Sequence, residues 1–234
     1  MTKEALRQYL VATTVTALIG GGVIYYLFIR SGSFVPSIAN KGLADVSLVI
    51  LGIVLLIGPL SRLYNRFDLW INYRKELGIL AFIIGAVHVY LSMFVLARRG
   101  PFGLYQSRPL VAYTGLLGLV IMAYLFIISF EKIKTKLGVA KWWKMQYWGA
   151  RITGVTIFAH MAIFKYAEWN TWLGGEPEKI ANPNFPPASL LIAIFISFVL
   201  LTRFGELLGS KVARFLTPVW FGVAVITSFL LFKL

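Results

Sequence analysis

Two histidines, His88 and His160, each stand near the middle of a long apolar run. A titratable ring at membrane depth is costly and marks a functional site by default. Imidazole is also a common protein ligand for a metal ion or a heme iron. The sequence has no cysteine and no third histidine. Two rings on two spanning helices therefore point to a single heme held between them. Zinc or copper fits less well, because two imidazoles leave such an ion short of ligands and no carboxylate or thiolate stands at that depth. Hydrogen bonding of the two rings across helices is the plainer alternative.

Residues three, four and seven apart share a helix face. Around His88 these are Ala81, Ile84, Gly85, Ser92 and Val95, with Gly78 further back. Around His160 they are Thr153, Thr156, Ile157, Ile163 and Phe164, with Gly149 further back. Small residues leave room for a flat macrocycle, so Gly85, Ala81, Ser92, Thr156 and Thr153 are the expected packing residues. The Thr156 or Ser92 hydroxyl is placed to orient a ring N–H. The two spans run in the same direction, and the rings are expected at one height, mid-membrane or slightly outward.

The elements that must position these rings are membrane helices. The chain has 234 residues, of which 59% are hydrophobic, and runs of about 20 apolar residues recur along it. The expected fold is all-α, a polytopic bundle of six core spans plus a seventh at the C-terminus, forming one integral membrane domain over 1–234. The spans are read as Leu10–Ile29, Leu43–Leu60, Leu77–Ala97, Leu110–Phe130, Trp148–Tyr166, a sixth from after Pro187 to Leu201, and Phe215–Phe232. Pro109 suits a helix start. Thr202–Arg214 is too polar to cross and reads as an amphipathic connector at the interface. Gly20, Gly21 and Gly22 read as a point of close helix approach. The segment Met1 to Gln8 is charged and leads directly into the first span, so no cleavable signal segment is expected.

The formal charge is +14, from 23 Lys and Arg against 9 Asp and Glu. In a membrane chain this excess belongs to orientation and anionic lipid contact, not to nucleic acid. Fifteen of the 23 fall on the N-terminal side: Lys3, Arg7, Arg62, Arg66, Arg74, Lys75, Lys132, Lys134, Lys136, Lys141, Lys144, Arg151, Arg203, Lys211 and Arg214. The N-terminus is therefore expected in the cytoplasm. The loop from Ala167 to Ser189 then faces outward, with Glu168, Glu176, Glu178, Trp169, Trp172 and four prolines. It is a candidate docking surface for an acceptor, or a plain connection.

Several segments resemble the ferric-reductase-like transmembrane family. Arg74-Lys75-Glu76-Leu77-Gly78 with the apolar run to His88 is similar to its third helix. Leu55-Leu56-Ile57-Gly58-Pro59-Leu60-Ser61-Arg62, Ser107-Arg108-Pro109, and Lys136-Leu137-Gly138 followed by Trp143 and His160 fit as well. The resemblance covers about Val46 to Tyr166 and is greatest to the heme-binding membrane subunits of bacterial periplasmic methionine sulfoxide reductase systems. Extra C-terminal helices follow at about 187–232. The resemblance implies that His88 and His160 are the axial ligands of one b-type heme in the bacterial cytoplasmic (inner) membrane. The family often has another histidine 13 residues before the second ligand; here that position is Tyr147, which implies one heme and not two.

Two imidazoles leave no open iron position, so the expected role is electron transfer within an oxidoreductase and not a self-sufficient enzyme. One macrocycle does not cover a hydrocarbon core of about 30 Å. Electrons must enter from quinol in the bilayer or from a flavin such as FMN at the cytoplasmic edge, and leave to an outer redox protein or a larger complex. Arg62, Arg66, Arg74, Lys75, Lys141 and Lys144, with Trp142, Trp143 and Tyr147, suit an anionic flavin or an acidic donor protein. As positive-inside and aromatic-belt residues they need neither. Arg98, Arg99, Arg108 and Lys165 are candidate partners for heme propionates. The competing reading is a non-redox scaffold or assembly subunit; a small transporter is a third, for which no matched pair of broken spans is visible.

Overall fold

Thr2 begins the first helix by accepting a hydrogen bond from the backbone N–H of Ala5 on its hydroxyl, at 3.2 Å. The helix runs over Lys3–Ser31 and ends at Gly32, whose φ of 66° permits the left-handed turn. This is α1 in a computed structural model that describes residues 2–65, 67–96, 103–176 and 184–233. Proline opens α2 at Pro36–Tyr64. A short α3 (Asp68–Ile71) leads to α4 (Arg74–Tyr90), which continues as a π-helical turn over Leu91–Val95. Then come α5 (Gly103–Ser107), α6 (Pro109–Ile128), α7 (Glu131–Leu137) and α8 (Val139–Leu173). The chain closes with α9 (Ala188–Gly205), a 3-10 turn at Glu206–Leu208 and α10 (Ser210–Leu231). No strand occurs among the described residues.

Six described helices are long and apolar enough to cross a membrane, making this a multi-pass membrane protein. They are α1, α2, α4 with its π turn, α6, α9 with its 3-10 turn, and α10. The sequence led to an expectation of seven. The expected C-terminal span is present as α10; the helix that falls outside the six is α8. It is 35 residues long, but Lys141, Lys144, Arg151, Lys165 and Glu168 are spread along it. It still packs against α6 and α9 within the bundle.

The connector also differs from expectation. Thr202–Arg214 forms no separate interfacial helix: α9 persists to Gly205, and α10 starts at Ser210 after Gly209, which has a φ of 108°. The reason lies in Arg203, which is buried and donates to Glu206 at 3.0 Å inside the bundle. The polar stretch therefore did not have to leave it.

The central helix is α2, packed by α1, α4, α8 and α9. Ile50, Leu55, Ile196 and Val199 are fully buried there, and Leu77 and Ala81 of α4 join them. Large apolar side chains such as Leu18, Leu110, Phe215 and Phe229 face outward, as helices in lipid require. Close approach uses small residues. A Cβ on Gly52 would lie 2.5 Å from the Phe195 ring, and one on Gly154 would lie 2.9 Å from Leu55. Of the glycine run in α1, only Gly20 meets a neighbour, Val46 of α2; Gly21 and Gly22 have nothing within 4 Å.

The helix directions define two ends of the bundle. The proximal end holds the chain's N-terminus, the close of α2 and the start of α4. The distal end holds the close of α1 and of α8, and the starts of α2, α6 and α9.

Candidate functional site: a two-histidine cavity

His88 lies near the end of α4, directly before the π turn. Such turns add a residue to the helical repeat and recur at functional sites. Here the turn carries Ser92 and Met93 toward the same cavity as His88. His160 comes from α8. Both rings are half-buried and line a single cavity of about 630 Å³ with Gly85, Ser92, Gly115 and Met161. That volume falls in the range of roughly 300–1,000 Å³ typical of small-molecule and cofactor sites.

Each ring is held through one nitrogen. His160 Nδ1 lies 2.8 Å from the backbone carbonyl oxygen of Val111. A carbonyl only accepts, so Nδ1 bears the proton and donates. His88 Nδ1 lies 3.1 Å from the Asn40 carbonyl oxygen and 3.0 Å from Asn40 Oδ1. The Asn40 amide is oriented by its own donation from Nδ2 to Ser92 Oγ at 2.8 Å. That leaves Oδ1 facing the ring, so His88 Nδ1 is also the donor. With Nδ1 protonated, a neutral ring keeps its lone pair on Nε2, the arrangement that metal-ligating histidines adopt.

The anchors set the depth. Asn40 lies four residues after the start of α2 and Val111 two residues after the start of α6, or about 6 and 3 Å along their axes. The rings thus share one level, near the distal end.

Gly115 provides clearance on α6. A Cβ there would stand 2.8 Å from both Cε1 and Nδ1 of His160. Gly85 opposes Ser47, whose hydroxyl would be 2.9 Å from an added Cβ. The Ser47 hydroxyl donates to the Ala81 carbonyl at 2.8 Å.

The expected packing residues divide into two groups. Gly85 and Ser92 line the cavity with the two histidines. Ala81, Thr153 and Thr156 do not. Ala81 is fully buried in the core, and Thr153 is fully buried with its hydroxyl donating to the Gly149 carbonyl at 2.9 Å. The Thr156 hydroxyl donates to the Ile152 carbonyl at 2.7 Å. In each threonine the helix backbone one turn earlier captures the hydroxyl.

Charged groups converge on the same cavity. Arg30 of α1, Lys41 and Asp45 of α2, and Lys165 and Glu168 of α8 all line it. Glu168 accepts from Arg30 at 3.2 Å and from Lys165 at 2.7 Å. Lys41 forms no ion pair among the described residues. Lys165 was an expected propionate partner and stands at the cavity. Arg108 instead lies over the Phe164 ring, 5.3 Å from its centroid. Arg98 and Arg99 lie outside the described residues, as do Arg66 and Glu178.

The expected outer docking loop is in part a helix. α8 continues to Leu173, so Trp169 and Trp172 are helical. Trp169 Nε1 donates to Ser189 Oγ at 3.0 Å, and Trp172 is buried against Leu190 and Leu231. Their rings join helices to one another and are not offered to a partner.

Sequence reasoning missed Asn40, Lys41, Gly115 and Arg30. An asparagine and a lysine at the head of an apolar span were the available signal for the first two. Gly115 on α6 gave none, because its role depends on which helix faces His160.

Residues 42–152 match the family model described as a ferric reductase like transmembrane component. The match spans α2 to the middle of α8 and includes His88; His160 lies eight positions beyond it. No curated protein matches the chain.

Proposed function

We propose that this protein is the heme-bearing membrane component of an electron-transfer system, with His88 and His160 as axial ligands of one b-type heme. The observation that carries this reading is the pairing of both Nδ1 atoms with carbonyl oxygens at the wall of one cavity. It leaves two neutral imidazoles with Nε2 as the remaining base, in a space of cofactor size. The similarity of residues 42–152 to ferric reductase like transmembrane components supports the same class of function.

The residues present fit the group. His88 and His160 would supply both axial bonds. Ser92 fixes Asn40, and Asn40 fixes the His88 ring. Gly115 leaves room for the His160 ring, and Gly85 leaves room for Ser47 at the cavity wall. Lys41, Lys165 and Arg30 supply positive charge at the cavity for the carboxylates of a macrocycle. Bound there, a b-type heme supplies a one-electron carrier with no coordination site open to oxygen or substrate.

The site's distal level supports a direction of traffic. With the N-terminal side in the cytoplasm, as the basic residues direct, electrons leave toward the outer face of a bacterial inner membrane. They enter from quinol or from a flavin such as FMN near the proximal end. The outward acceptor is a redox protein or a larger membrane complex.

The purified protein should show a Soret band that shifts on dithionite reduction, and about one heme per chain by pyridine hemochromogen assay. His88→Ala and His160→Ala should each abolish the low-spin spectrum. A normal spectrum in both variants, or a colourless protein from heme-replete cells, overturns the reading.

A further inference from the structure

A second cluster sits at the other end of the bundle, away from the histidine cavity. Arg62 from α2, Arg74 from α4, Arg151 from α8 and Arg203 from α9 converge around Glu206. Glu206 accepts from Arg151 at 2.8 Å and from Arg203 at 3.0 Å through Oε2, and from Arg62 through Oε1. Tyr147 lies among them, with the Arg151 guanidinium carbon 3.5 Å from its ring centroid and that of Arg203 at 5.4 Å. Arg74 and Arg203 reach the same point on α2, since a Cβ on Gly58 would stand 3.4 Å from one and 3.7 Å from the other.

The cluster is not neutral. Four guanidiniums face one carboxylate, and Arg74 forms no ion pair among the described residues. Arg151 and Arg203 are 2% and 1% exposed, yet the buried Nε atoms of Arg74, Arg151 and Arg203 have no acceptor. A buried charge left uncompensated is costly. The excess of guanidiniums over the one carboxylate, with three buried Nε donors left unmet, therefore favours an anion with several oxygens at the open side of the cluster. The Arg62 side chain is 45% exposed, so the cluster opens to the surface. Exposed Trp143 and Trp148 stand beside Tyr147, at the level where aromatic rings meet the membrane–water interface.

We infer that Arg62, Arg74, Arg151 and Arg203 form a binding site for the phosphate of an anionic phospholipid headgroup. A planar fork of N–H donors suits phosphate oxygens. Basic pockets between spanning helices, at interfacial depth, take lipid phosphates. Glu206 holds the guanidiniums apart and in register while leaving their outer donors for the ligand. The lipid's acyl chains would lie along the exposed apolar flank of the neighbouring helices.

The test uses the full-length protein in detergent, delipidated and titrated with phosphatidylglycerol or phosphatidylcholine under native mass spectrometry at constant ionic strength. The parent should bind phosphatidylglycerol in preference to phosphatidylcholine. Arg74→Gln and Arg62→Gln should each weaken that binding about tenfold, as loss of one charge-assisted hydrogen bond implies. Both keep the more buried Arg151–Glu206–Arg203 core intact. Equal binding of the two lipids, or parent-like binding by both variants, overturns the inference. Displacement of the lipid by inorganic phosphate at equal concentration also overturns it, by assigning the site to a soluble phosphate. The Soret absorbance of the same samples reports separately on the histidine site, so failure of one reading is distinct from failure of the other.

Discussion

Gly115→Ala isolates the contact on which the His160 geometry depends. The added methyl would stand 2.8 Å from Cε1 and Nδ1 of the ring, far inside normal carbon contact of about 3.5–4.0 Å. The ring does not yield freely, because its Nδ1 is bonded to the Val111 carbonyl at 2.8 Å. Overpacking of this kind costs about 1–3 kcal/mol. Alanine in place of a helical glycine returns about 1 kcal/mol. The net destabilisation is then about 0–2 kcal/mol if the ring stays. If the ring turns away, the lost hydrogen bond costs about 1 kcal/mol more and Nε2 loses its aim. The second outcome matters for the heme. We expect Gly115→Ala to fold, to melt within a few degrees of the parent, and to lose the low-spin spectrum or bind heme at least about tenfold more weakly. Gly78→Ala on α4 is the matched control, since nothing lies within 4 Å of its added Cβ; it should keep the parent spectrum and melt no lower. Optical titration with hemin and thermal melting in detergent read both effects. A Gly115→Ala protein with parent affinity and an unaltered spectrum would refute the placement of His160 as a ligand oriented by α6.

Asn40→Ala leaves the His88 Nδ1–H short of its side-chain acceptor and should lower heme retention in the same titration. Asn40→Asp places a carboxylate against that N–H, makes the ring a stronger electron donor and should move the midpoint potential to a more negative value; a potential equal to the parent's would show that Asn40 does not reach the ligand. Glu206→Gln removes the one negative charge that buried Arg151 and Arg203 share among the described residues. It should destabilise the bundle by about 3–5 kcal/mol, read as a marked drop in melting temperature with the heme spectrum unchanged in the surviving folded fraction.

The helical class, and the placing of one histidine in each of two apolar runs, were readable from sequence because the signals are local. A ring inside an apolar run is an anomaly wherever the run goes. What the rings touch was not readable. Asn40 stands 48 positions from His88 and Val111 stands 49 from His160, so both contacts come from helix pairing that no periodicity encodes. Thr153 and Thr156 share the His160 face by spacing, but their hydroxyls are taken by the backbone of their own helix. Arg151 and Arg203 were visible as charges near apolar runs and were counted toward topology. Their joint carboxylate, Glu206, falls by sequence in a polar connector. Only packing of α8 against α9 and its 3-10 turn reveals that the three form one buried unit.

The two rings are supported by unlike means. His160 rests on a main-chain oxygen, which every amino acid at position 111 would offer. His88 leans partly on an amide side chain, which one nucleotide change can replace. Inherited variation can therefore retune the proton affinity of one imidazole while the other stays fixed by the peptide chain itself. Relatives with different redox set points should differ at position 40 sooner than at position 111.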